Sequence, residues 1–137
     1  MKTAKEIQTD IYNFLRGSKF AQGVNGDVYR QGYRPRNSAK EDIIVIFTTG
    51  AVGEVQRGVV TINAYVPDID PYRNGVFVED GRRTAEVETL AKNWVESLTA
   101  AKSDYLFNLN NTIYTEADAE VPQHFIVVRL NYKLYQN

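Results

Sequence analysis

The sequence predicts an α+β domain of two layers, a mainly antiparallel β-sheet with two amphipathic helices packed on one face. Three observations predict it. Apolar residues recur at helical spacing in two segments, one near the start of the chain and one beginning near Asp80. Two other segments, Gln56 to Val66 and Phe125 to Tyr135, alternate apolar and polar residues with period two. The order helix, strands, helix, strands gives each one-sided helix a sheet to lie on, and a short inter-strand loop favours antiparallel pairing. With 137 residues, 43% of them hydrophobic, the chain can bury one core and reads as a single domain over residues 1–137.

The first helix is expected from Thr3 to Gly17. Thr3 and Glu6 have capping-box spacing, in which the hydroxyl accepts from a free N–H of the first turn and the carboxylate reaches back. Ala4, Ile7, Ile11, Phe14 and Leu15 then share one face, Lys5, Gln8, Thr9 and Asp10 the other, and Gly17 is a stop. Gly23 to Gly26 is turn chemistry ahead of a short strand near Asp27–Gln31. Pro35 and Asn37-Ser38 mark an irregular connection. Asp42 to Thr48 is apolar on both faces and reads as a central strand, hairpinned to the strand beginning at Gln56. Within that partner Val60, Ile62, Ala64 and Val66 point one way, and Thr61, Asn63 and Tyr65 the other.

Pro67 to Val78 shows no periodicity. Asp80 can cap a second helix reaching about Ala101, with Val87, Leu90, Ala91, Trp94, Val95 and Leu98 as its apolar stripe. Tyr105–Leu109 and Thr112–Thr115 are short strands about a tight turn at Asn110-Asn111. The last strand sets Ile126, Val128, Leu130, Tyr132 and Leu134 against Arg129, Asn131 and Lys133. One sheet face is therefore expected to be polar, tyrosine-decorated and open to a partner.

Catalytic chemistry finds little to stand on. There is no cysteine, and the one histidine, His124, precedes the last strand, where a backbone hydrogen bond explains it. No serine sits in a nucleophile elbow. DIDPYRNGVFVE spaces Asp68, Asp70, Asn74 and Glu79 like a calcium loop, but Tyr72 and Arg73 occupy positions that need a ligand and a glycine. GAVGEVQRG matches no phosphate-binding loop, and Glu116, Asp118 and Glu120 lie in a connection without an acidic partner. The expectation is no enzyme, no cofactor and no metal. No segment has transmembrane length, and MKTAKEIQTD lacks a secretory apolar stretch.

A net charge of −1 removes any global electrostatic case for nucleic acid or membrane. Charge is nonetheless uneven. VYRQGYRPRNSAKED holds Arg30, Arg34, Arg36 and Lys40, while Asp68, Asp70, Glu79 and Asp80 form an acidic loop. Arginine suits forked pairing with carboxylate or phosphate, and Tyr29 and Tyr33 offer faces for guanidinium stacking. A protein interface, plain solvation and nucleic acid are the three readings of this basic hook.

The phrases VYRQGYRPRNSAKEDIIVIF, VQRGVVTINAYVPDI, RRTAEVETLAKNWVESL and HFIVVRLNYKLY resemble tail-terminator (tail-completion, head–tail joining) proteins of long-tailed bacteriophages and prophages. The resemblance covers most of the chain and rests on element order and on strand phrases such as RPRNSAKEDI and INAYVPD. It implies a non-enzymatic structural protein of the virion neck, present in host cytoplasm during assembly. Such proteins form homo-oligomeric rings, usually hexamers, that cap the tail tube and join it through a head-completion or connector protein to the head. Double-stranded DNA passes through the lumen without sequence-specific recognition.

A ring interface is heterologous, so separated patches of opposite charge suit it. Arg30, Arg34 and Arg36 are accordingly expected to meet Asp68, Asp70, Glu79 and Asp80 of a neighbour, with Tyr33 and Tyr72 supplying contact area. The lumen is the competing place for the hook. A small cellular α+β adaptor or protein-binding module is the alternative to the phage role.

Overall fold

The structure, a computed structural model, describes residues 1–135. Helices α1 (Ala4–Leu15), α2 (Lys19–Gln22) and α3 (Gly81–Ala100) accompany strands β1 (Val28–Arg30), β2 (Ile43–Ala51), β3 (Gln56–Pro67), β4 (Tyr105–Leu109), β5 (Tyr114–Ala117) and β6 (Gln123–Leu134). The strands make one six-stranded sheet ordered β1-β2-β3-β6-β4, with β5 also paired to β6. The α+β class follows from this arrangement, and most of the pairings are antiparallel.

The capping box at α1 is present: Thr3 Oγ1 accepts from the Glu6 N–H, and the Glu6 carboxylate accepts from the Thr3 N–H. Gly17 follows with a φ of 73°, a left-handed position that costs glycine least. Ile7, Ile11 and Leu15 are buried, but Ala4 is exposed. Gln8, expected on the polar face, is buried instead. Its i+3 and i+7 relations to Ile11 and Leu15 place it on the flank of that stripe. Thr3→Ala should lower stability by about 1 kcal/mol, read as a drop in the urea midpoint at constant slope.

Helix α3 is capped by Asp80, whose carboxylate accepts from the Arg83 N–H. Val87, Ala91, Trp94 and Val95 are buried, with Leu90 and Leu98 packed at the margin. These residues and the α1 stripe meet one sheet face, made of Ile43 and Val45, Val60 to Val66, and Ile126 to Leu134 at alternate positions. Gly58, on that face, has no room for a side chain. A Cβ there would fall 2.1 Å from the Thr49 carbonyl oxygen and 2.7 Å from the Tyr132 ring.

Three connections differ from expectation. A single helical turn, α2, capped by Ser18, carries Phe20 into the core beside Trp94. Strand β1 pairs parallel to β2, so the segment joining them is a crossover, the dozen-residue link that parallel neighbours require. Strands β4 and β5 do not form a hairpin. Both run antiparallel to β6, opposite Leu130–Leu134 and His124–Val127 respectively, as one interrupted edge strand. Strand β6 can serve both because its twelve residues exceed either short strand.

Candidate functional site

The basic hook is the β1–β2 crossover, and its arginines have separate fates. Arg34 turns inward. Its Nε donates to Asp42 Oδ2 at 2.9 Å, its second nitrogen donates to the Lys40 carbonyl and Gln123 Oε1, both at 3.3 Å, and its guanidinium lies 4.0 Å from the centre of the Tyr65 ring. Asp42 is 1% exposed and also accepts from the Asp27 N–H and the Ser38 hydroxyl. Burial opposes ionisation of Asp42, yet Ser38, the Asp27 N–H and Arg34 together hold its carboxyl below the usual range. Gly26 leaves the space this requires, since a Cβ there would fall 2.2 Å from Asp42 Oδ1.

Glu41 is built in the same way. Arg83 of α3 grips it with two bonds of 2.7 and 2.8 Å and donates to the Gly23 carbonyl, while the Asn25 N–H donates to the same carboxylate. The bonds from Arg83 are the main reason its carboxyl sits below the usual range. The two acids that end the basic stretch are thus the internal anchors of the crossover.

Arg30 stacks on the rings of Tyr33 and Tyr12, at 5.1 and 5.7 Å. The stacking expected of the hook is therefore real, with Tyr12 in place of Tyr29. Arg36 and Tyr33 are exposed, and Arg36 makes no ion pair among the described residues.

The acidic loop is an ordered arm, closed at its base by an antiparallel bridge between Ile69 and Val78. All four of its acids have local work. Asp68 meets His124 Nδ1 at 2.6 Å, Glu79 accepts from Thr84 at 2.6 Å and lies 3.6 Å from His124 Nε2, and Asp80 caps α3. Asp70 spends both carboxylate oxygens on the N–H groups of Asn74 and Gly75, with Arg73 at φ 54° completing the turn.

This corrects two expectations. Arg34 cannot serve as a clasp for a neighbour's acids while Asp42 holds it, and the arm's acids first organise their own chain. The His124 ring bonds to the Asp68 carboxylate rather than to backbone, tying the arm's base to β6.

What the arm presents outward is apolar: Ile69, Tyr72, Val76, Phe77 and Val78 are all exposed, Tyr72 by 82%. Five exposed apolar side chains thus fall within the ten residues Ile69–Val78. Sequence reasoning singled out Tyr72 but missed Val76 and Phe77, because a segment without periodicity gives no indication of which side chains lack a core to enter.

The sheet face opposite the helices is a second surface, and it is less polar than expected. Ile44, Ile46, Val59 and Phe125 are half-buried there, and Val127 is buried despite having no helix above it. Tyr65 and Phe125 pack against each other across β3 and β6 at 5.3 Å. Toward the β2–β3 hairpin this face becomes a basic groove of about 420 Å³ lined by Arg57, Val59, Leu106, Asn108, Asn131 and Lys133. Arg57 and Lys133 are cross-strand partners, and Thr61 pairs Arg129 four residues along.

No family model and no curated protein matches this chain. A solved structure whose name describes no activity is 14% identical over 96% of each chain, with a TM-score of 0.44.

Proposed function

We propose that this chain is a non-enzymatic structural subunit that assembles with itself into a ring, in the manner of the tail-terminator proteins its sequence resembles. The observation that carries the reading is the arm Ile69–Val78: a tightly pinned loop whose large apolar side chains face solvent. Exposing that surface costs solubility, and burial against another chain relieves the cost. The open sheet face, with Tyr29, Tyr65 and Tyr114 partly exposed, supplies a second and different surface, as a heterologous ring interface needs.

In this reading the ring, a hexamer by resemblance, closes the tail tube and receives the head-completion or connector protein in the virion neck after assembly in host cytoplasm. Double-stranded DNA passes its lumen, and the exposed hook cations Arg36 and Lys40, in no ion pair among the described residues, are placed to meet a phosphate or a neighbour. Native mass spectrometry of the purified protein, alone and with tail tubes, tests it. A closed oligomer formed in either condition is expected. A chain that stays monomeric and leaves tail tubes unbound would refute the proposal.

A further inference from the structure

We infer that the apolar arm of one copy docks in the basic groove at the far end of the sheet of the next copy. The inference rests on self-assembly as proposed above and names the surfaces that meet. Arm and groove lie at opposite ends of the longest strands. The arm leaves the sheet at Pro67, paired to Gln123, and the groove sits at Arg57, paired to Lys133. Ten steps of extended strand lead from Arg57 to Pro67, roughly 33 Å at the usual rise. An arm whose base is pinned by His124 and the Ile69–Val78 bridge cannot fold back over that distance, so its occupant site belongs to another molecule.

The two surfaces are complementary in charge. Asp70 and Arg73 balance within the arm, while Asp68, Glu79 and Asp80 flank its base and, though each is held by a local hydrogen bond, give that end of the molecule a net negative charge. The groove carries Arg57 and Lys133, no carboxylate lines it, and neither cation makes an ion pair among the described residues. Two like charges placed directly across a ladder repel each other, a cost that an acidic visitor removes. The surfaces also match in kind: exposed Leu106 and half-buried Val59 give the groove an apolar floor for Tyr72 and Phe77, while Asn108 and Asn131 hold each other by a 2.8 Å side-chain bond beside it. A contact between two different patches on identical chains propagates from copy to copy and closes when the rotation permits.

Two variants test the docking by complementation. One loses the arm's anchors, Tyr72→Ser with Phe77→Ser, and one reverses the groove, Arg57→Glu with Lys133→Glu. Each alone should self-associate about thirtyfold more weakly than wild type. Mixed, they retain one intact arm and one intact groove, so a one-to-one dimer that grows no further is expected by native mass spectrometry. Circular dichroism should show both folded, and Arg57→Ser with Lys133→Ser replaces the reversal if it is not. Wild-type-sized oligomers from either variant alone, or no dimer in the mixture, overturn the docking while leaving self-assembly standing. A wild-type chain monomeric under every condition, tail tubes included, overturns both.

Discussion

Arg34→Ala is expected to destabilise the domain by about 3–5 kcal/mol, because it leaves the Asp42 carboxylate buried without its cation. The neighbouring substitution Arg36→Ala, at an exposed position, should stay within about 0.5 kcal/mol of wild type. The contrast separates two arginines that stand two residues apart in the same basic hook. Arg34 also covers Tyr65 and bonds to Gln123, so its loss loosens the crossover from β3 and β6 together. Urea unfolding monitored by Trp94 fluorescence reads both variants. If Arg34→Ala unfolds at the wild-type midpoint, the inward pair is not what holds the crossover, and the arginine becomes available to a partner again. Charge reversal at Arg34 is for the same reason a poor probe of assembly, since a lost oligomer would report a lost fold.

Acid should unfold the protein largely through Glu41 and Asp42. Arg83 holds Glu41 below its ordinary value, and the Ser38, Asp27 and Arg34 bonds outweigh burial to do the same for Asp42. A carboxyl whose folded pKa is depressed contributes stability that is fully present above its unfolded value, about 4, and is lost as pH falls through the folded value. The wild-type urea midpoint is therefore expected to fall steeply below about pH 4. The double variant Glu41→Gln, Asp42→Asn should be less stable at pH 7 yet show a flatter acid limb. Some slope should remain, because backbone N–H groups of Glu120 and Thr3 hold the Asp118 and Glu6 carboxyls down as well. An acid limb as steep as that of wild type would place the linkage elsewhere in the chain.

The parallel pairing of β1 explains why so polar a connection needs such anchors. Short parallel neighbours are usually joined through a helix that buries its own face. Here a loop does that work with no apolar stripe to bury, so ion pairs at Asp42 and Glu41 substitute for packing. The substitution is legible in hindsight, since the two acids directly follow the arginines in sequence. What sequence could not supply was direction. A run of cations next to two carboxylates reads equally well as a surface seeking a partner and as a loop seeking its own core.

Helices α1 and α3, their N-caps and the alternating faces of β3 and β6 were legible from the sequence alone, because each depends on residues within one or two turns or within one strand. Thr3 with Glu6, Asp80 ahead of α3, and the Val60-to-Val66 and Ile126-to-Leu134 alternations carry their own geometry. Register, and everything that hangs on it, was decided by tertiary structure. That Arg57 faces Lys133, that Arg34 reaches Asp42 rather than a neighbour, and that Phe77 finds no core depend on which distant segments lie side by side. Local periodicity determines what a side chain would bury. Only the packed sheet determines whether anything is there to bury it.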